Sequence, residues 1–212
     1  MKFNCMLIIY NSVANEHENF LLLQKTYISM RKISVLVLSI LLSINVFSQK
    51  QSDEKAKSIK WYSFEDAIKL NKEFPKKKIF VDVYTEWCGW CKKMDATTFS
   101  NPEIIEYMNA NFYAVKLDAE RKDSLIIDDK LFVNPNPTGN RSTHQIAEML
   151  LNGRMSYPSY VFLDEMSRPI TVVPGYVEAS SFEPILHYFA ENEYFKKSWE
   201  AYQKVFVGKI KK

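Results

Sequence analysis

Cysteine is scarce in this chain: 3 in 212 residues, with only 3 histidines beside them. That shortage argues against a disulfide-stapled scaffold. It also leaves too few ligands for a structural zinc site, which takes four, and His144 and His187 stand alone and far apart. A basic excess is missing too. Four of the 28 Lys and Arg and two of the 25 Asp and Glu precede residue 49, leaving 24 against 23 beyond it. A nucleic-acid partner needs a positive field that this balance does not supply. Lys76-Lys77-Lys78 is a local run ahead of a strand and reads as a solvated turn. There is no internal repeat.

The apolar run Ile33–Phe47 is short of the about 20 residues that cross a bilayer. Arg31-Lys32 precedes it, and Val46 and Ser48 take the small-residue places at its end. This pattern predicts a signal peptide over residues 30–48, cleaved before Gln49, and so export to the periplasm. An uncleaved N-terminal anchor is the competing reading. No Cys follows the run, so lipid attachment is not expected. Residues 1–29 then read as an over-long N-terminal extension, with translation starting at Met30. A genuine extension is the alternative, and Cys5 within it has no assigned role.

The most telling residues that are present are Trp87-Cys88-Gly89-Trp90-Cys91. They follow the β-branched run Ile79–Tyr84, so a strand ends, the chain turns and a helix begins. Cys88 then sits at a helix N-terminus, where unpaired N–H groups and the macrodipole favour an anion. A thiolate there is acidified and nucleophilic. Cys91, one turn on, is placed to close a disulfide. Haem attachment needs His after the second Cys, and Lys92 stands there. An inert structural disulfide remains open, although so short a loop gains little from closure.

The pattern along the chain is read as follows. Residues 49–60 form a polar, flexible leader. Ser63 opens a helix to about Glu73, with Phe64, Ala67, Ile68 and Phe74 inward, and Pro75 ends it. Ile79–Tyr84 is a central strand, Cys88–Phe99 the helix after it, and Asn101-Pro102 caps another helix to Asn109. Phe112–Asp118 is a strand and Arg121–Leu131 a short polar helix. Asn134–Asn140 is a turn-rich loop, after which Ser142–Gln145 caps a helix to about Leu151. Tyr160–Leu163 and Ile170–Val173 form a hairpin. Ser180 caps the last helix, and Tyr194, Phe195, Trp199, Tyr202 and Phe206 make an aromatic stripe. Residues 61–212 are one domain, with an inserted loop and helix at 134–151 and a C-terminal helical extension.

This order and the motif resemble the thioredoxin superfamily. Trp87–Met94, Thr98-Phe99 and Pro102-Glu103 resemble a bacterial envelope subgroup, similar also to the C-terminal domain of the membrane thiol:disulfide interchange reductase. The resemblance implies an α/β, thioredoxin-like three-layer fold with a central mixed β-sheet flanked by helices. It implies that Asp82, six residues before Cys88, is a buried acid assisting proton transfer at Cys91. Its neighbours Val81 and Val83 independently suit a buried acid. The resemblance gives Lys116 as the partner of that acid, against the competing reading of an ordinary strand lysine. It gives Tyr157-Pro158 as a cis proline packed on the disulfide, offering backbone to substrate. Gly89-Trp90 departs from the Gly-Pro of thioredoxins, which leaves the potential open. The segment 134–151 either shapes a substrate groove or packs only on itself.

These residues predict an envelope thiol–disulfide oxidoreductase acting on disulfide-containing proteins. The catalytic set is Cys88, Cys91, Asp82 and Lys116; the substrate-binding set is Trp87, Trp90, Tyr157 and Pro158. A relay acid without a His between the cysteines favours reductase over oxidase. No metal or organic cofactor and no nucleic acid is expected, and a membrane thiol reductase is the expected electron donor. A non-catalytic thioredoxin-like binding module is the rival reading.

Overall fold

The structure, a computed structural model, describes residues 56–211. The expected signal peptide, its cleavage point and the N-terminal extension lie outside the described residues. A five-stranded mixed sheet runs in the order β1-β3-β2-β6-β7. The strands are β1 (Trp61–Tyr62), β2 (Lys78–Tyr84), β3 (Phe112–Asp118), β6 (Ser159–Leu163) and β7 (Pro169–Pro174). β1, β3 and β2 run parallel, and β6 and β7 are antiparallel additions. The helices are α1 (Phe64–Glu73), α2 (Gly89–Ala96), α3 (Pro102–Asn111), α4 (Gln145–Leu150), α5 (Ala179–Ala190) and α6 (Trp199–Val205), and a 3-10 turn covers Glu193–Phe195. The expected α/β, thioredoxin-like sheet with helices on both faces is present.

β2 is buried on both faces, as a central strand must be, and apolar except for Lys78 and Asp82. On one face Ile79, Val81 and Val83 pack with Val115, Val161 and the α1 residues Phe64, Ala67 and Ile68. On the other, Phe80 meets Tyr160, Phe162 and Phe182, with ring centroids 5.4–5.9 Å apart. Such contacts add to the burial of the rings themselves. The register sets Asp82 beside Lys116 on β3 and opposite Tyr160 on β6.

Several expectations need correction. Arg121–Leu131 is not a helix. It forms the hairpin β4 (Leu125–Ile127) and β5 (Lys130–Phe132). Leu125 and Phe132 point inward and Ile126 and Leu131 outward, a period of two. Asp128 and Asp129, at φ 51° and 60°, make the tight turn between them. Phe74 caps α1 and is exposed rather than inward. The helix after the cysteines stops at Ala96, short of Phe99. α5 starts at Ala179, ahead of Ser180, with Glu178 as a cap that makes no side-chain bond. Phe195 is exposed to solvent and meets the aromatic stripe at Tyr194, with 4.1 Å between ring centres. The end of the leader is fixed: Ile59 is buried, and Asn109 bonds both Ser58 O and Lys60 N.

Two buried polar side chains hold peripheral segments. His144 caps α4, its Nδ1 accepting the Ile146 N–H at 3.1 Å, so Nε2 carries the proton donated to Asp123 O. Buried Glu183 takes the N–H of Lys209 on Oε1 at 2.7 Å and that of Ile210 on Oε2 at 3.0 Å. A Cβ at Gly208 would come within 2.3 Å of Glu183 Oε2, so a larger residue there would push the Glu183 carboxyl off its place.

Candidate active site

The site lies where β2 ends. Cys88 N donates to Thr85 O at 3.1 Å, which closes the turn out of the strand. Cys88 is then the N-cap of α2, and its Sγ accepts the Cys91 N–H at 3.0 Å. The two cysteines form a disulfide. The sulfur therefore fills the role of a capping oxygen, satisfying an otherwise free helix donor. On reduction, the same N–H and the helix dipole stabilise a thiolate at Cys88.

Asp82 is 1% exposed on the adjoining strand. Its Oδ2 is 3.4 Å from Lys116 Nζ, which also bonds Asp95 on α2. Its Oδ1 has no hydrogen-bond partner among the described residues, nor do Thr85 Oγ1 and Tyr160 OH. Burial pushes the Asp82 carboxyl up to about 7; the Lys116 charge offsets part of this and the Asp95 charge adds to it. The ammonium also lies 5.0 Å from the Tyr84 ring centre and 5.5 Å from that of Trp61.

The peptide bond Tyr157-Pro158 is cis. Pro158 O accepts the Gly175 N–H at 2.8 Å, which ties this loop to the end of β7. Trp87 and Trp90 are 52% and 57% exposed, so two large indoles flank the disulfide in contact with solvent. Trp87 donates through Nε1 to Glu120 at 3.0 Å and meets Tyr157 edge-on at 5.9 Å. Arg141 lies over its ring at 4.9 Å, with its backbone in the left-handed region at φ 58°. The segment 134–151 thus reaches the site through this residue, beside a recess of about 640 Å³ shared by Glu86, Trp87, Glu120 and Lys122. Trp90 meets Tyr176 at 5.4 Å, and Lys93 Nζ sits over both rings, at 4.9 and 4.6 Å.

The structure keeps Trp87 and Trp90 beside the Cys88–Cys91 disulfide, sets Tyr157 of the cis Tyr157-Pro158 pair against Trp87, and pairs Asp82, on the strand that leads into the motif, with Lys116. It adds Asp95, Tyr160, Tyr176, Glu120 and Arg141. Asp95 had a legible signal, since it lies seven residues after Cys88 and so on the same helix face. Tyr160 and Tyr176 carried none, because a tyrosine beside a strand reads as core. Among the described residues no His, Cys, Asp or Glu cluster is arranged to hold a metal ion.

Residues 64–190 match the thioredoxin-like domain family. The chain belongs to that family. An uncharacterized protein of Archaeoglobus fulgidus is 35% identical over 82 residues, 39% of this chain and 60% of its own length. Spermatogenesis-associated protein 20 of Rattus norvegicus is 34% identical over 80 residues, 35% of this chain and 9% of its own. The chain thus spans less than two thirds of either relative. Among solved structures, DsbH oxidoreductase superposes at TM-score 0.48 with 16% identity, covering 66% of this chain and 89% of that one. The reduced C-terminal domain of Neisseria meningitidis DsbD gives 0.39 and 21%, covering 60% and 92%. The thioredoxin-like domain with its Cys88–Cys91 pair is the frame for the chemistry that follows.

Proposed function

We propose that this thioredoxin-like protein is an exported thiol–disulfide oxidoreductase that reduces disulfides in protein substrates. The observation that carries the reading is Cys88 Sγ at the N-terminus of α2, accepting the Cys91 N–H. A nucleophile already facing the donors that stabilise its anion needs no rearrangement to react.

In the reduced protein the Cys88 thiolate attacks one sulfur of a substrate disulfide. A Cys88–substrate bond forms, the substrate S–S bond breaks, and the departing substrate thiolate takes a proton from solvent. Cys91 then loses its thiol proton to the Asp82 carboxylate and attacks Cys88 Sγ. The Cys88–Cys91 disulfide closes as the Cys88–substrate bond breaks, and the second substrate sulfur leaves as a thiolate that takes up a proton from solvent. Substrate gains two electrons and the protein loses them. A dithiol donor on the membrane side restores the reduced form by the reverse exchange. A carboxyl near 7 suits this proton transfer at neutral pH. Lys116 moderates the acid, Tyr157 and Pro158 meet substrate backbone, and Trp87 and Trp90 cover the reacting sulfurs. Export rests on the charge–apolar–small pattern of residues 30–48.

Insulin reduction, driven by a dithiol donor, tests the activity. Wild type accelerates it, Cys88→Ser abolishes it, and Cys91→Ser accumulates a mixed disulfide. Equal rates with and without the protein would leave a binding module. Intact mass from the native host, with or without residues 30–48, tests export and cleavage.

A further inference from the structure

Tyr160 is fully buried among Phe80, Phe99 and Phe182, rings that carry no polar atom. A phenylalanine would fill the same space. A buried hydroxyl costs stability unless it is hydrogen-bonded, so Tyr160 OH needs a polar partner. Its place gives one. Tyr160 pairs with Asp82 across β6 and β2, and directly opposed residues project from the same face of the sheet. Both present a buried oxygen with no partner among the described residues: Tyr160 OH and Asp82 Oδ1. One is a donor in need of an acceptor, the other an acceptor in need of a donor.

We propose that Tyr160 is a positioning residue for Asp82: its hydroxyl, through a buried water shared by the two groups, supplies the donor that Oδ1 lacks. A buried water with two polar partners is an ordinary element of protein interiors. Lys116 holds Oδ2 from the β3 side, so the carboxylate is addressed on each oxygen by a different strand. The other groups acting on this pair are Asp95 on α2, Tyr84 on β2 and Tyr176 after β7. A donor to the carboxylate favours the ionised form, and the negative carboxylate in turn holds the phenol proton in place. The inference deepens the proposed exchange reaction, yet its primary readout does not need activity.

The experiment is carboxyl-carbon NMR of Asp82 in the full oxidised chain, wild type against Tyr160→Phe, with denaturant unfolding of both across pH. The Asp82 midpoint is expected to rise, with at least about threefold higher proton affinity, because the ionised form loses a hydrogen bond. The variant should lose stability only above the midpoint, where the carboxylate is charged. A midpoint unchanged by Tyr160→Phe, with stability raised at every pH, would overturn the proposal. Site-specific 3-fluorotyrosine at 160 keeps the side chain's shape and makes its hydroxyl a stronger donor. It should lower the midpoint, and no movement would again count against the role. In stopped-flow exchange, the pH profile of mixed-disulfide resolution should follow the NMR midpoint. A shifted midpoint in a protein that exchanges no disulfide would uphold the placement of Tyr160 and reject the reductase reading.

Discussion

The Lys116 ammonium reaches within 3.4 Å of Asp82 Oδ2. It does not belong to that carboxylate alone, because it also bonds Asp95. A cation divided between two acids offsets only part of the cost of burying one of them, which is why the Asp82 carboxyl stays near 7. Lys116→Met should push the Asp82 midpoint higher and move the pH profile of Cys91 resolution to the alkaline side. Attack by Cys88, measured as burst mixed-disulfide formation, should change little. A profile that stays in place would make Lys116 an ordinary strand lysine.

Replacing the acid itself has a signed effect on stability. The folded carboxyl titrates at about 7 and the unfolded one near 3.8. Between those values the folded state holds a proton that the unfolded state has released. Wild-type stability therefore declines as pH rises through this window and levels off above it. Asp82→Asn removes the penalty without stranding Lys116, which keeps Asp95. The gain in unfolding free energy, read from denaturant curves, should grow from pH 4 to pH 7, reaching on the order of 3 kcal/mol. Resolution of the mixed disulfide should slow by roughly tenfold or more. A gain independent of pH would mean that Asp82 is not the group titrating.

Cys88 should be alkylated first in the reduced protein. Its sulfur faces the start of α2, where the Cys91 N–H reaches it at 3.0 Å. Iodoacetamide labelling followed by peptide mapping should show a midpoint below that of an ordinary thiol, and Cys91 should react later. Faster labelling of Cys91 would exchange the two roles.

His144 gives a second pH dependence of opposite sign. Burial, aided by the Arg121 charge, holds its imidazole below the ordinary 6.5. The unfolded state binds the proton first, so stability is lost as pH falls through that value. His144→Ala leaves both the Ile146 N–H and Asp123 O without this partner, at a cost of about 2 kcal/mol. Proteolysis within 134–143 should rise in the variant, read by mass spectrometry.

Much of the fold was legible because the sheet core is regular. Phe112–Asp118 has the same limits in sequence and structure, and the Ser63 cap, Asn101-Pro102 and the 160–173 hairpin announce themselves chemically. The reading broke down at a local turn without its usual marker and at elements decided by partners distant in sequence. Arg121–Leu131 looked like a polar helix because Asp128-Asp129 lacks the glycine that marks a tight hairpin, and both residues take positive φ nonetheless. β1 is two residues long and exists through its pairing with Ala114 and Val115. In the site, the cysteines, Asp82 and Pro158 stand in a recognisable order. Arg141, Tyr160 and Tyr176 come together only when the sheet brings 141–176 against residues 82–90.

The two oxygens of Glu183 each hold a separate amide of the chain beyond α6, with Gly208 pressed against the same carboxylate. This fixes a count as well as a contact. One residue added or removed between Val205 and Lys209 would carry both amides off their acceptors and leave a buried carboxyl group without them. The loop at 134–143 is tied in another way: Asn134 bonds Arg121 O and Ser142, and Arg141 stacks on Trp87. The chain between Asn134 and Ser142 closes on itself and its length is set by its own bonds, whereas the C-terminal turn answers to a carboxyl group on α5.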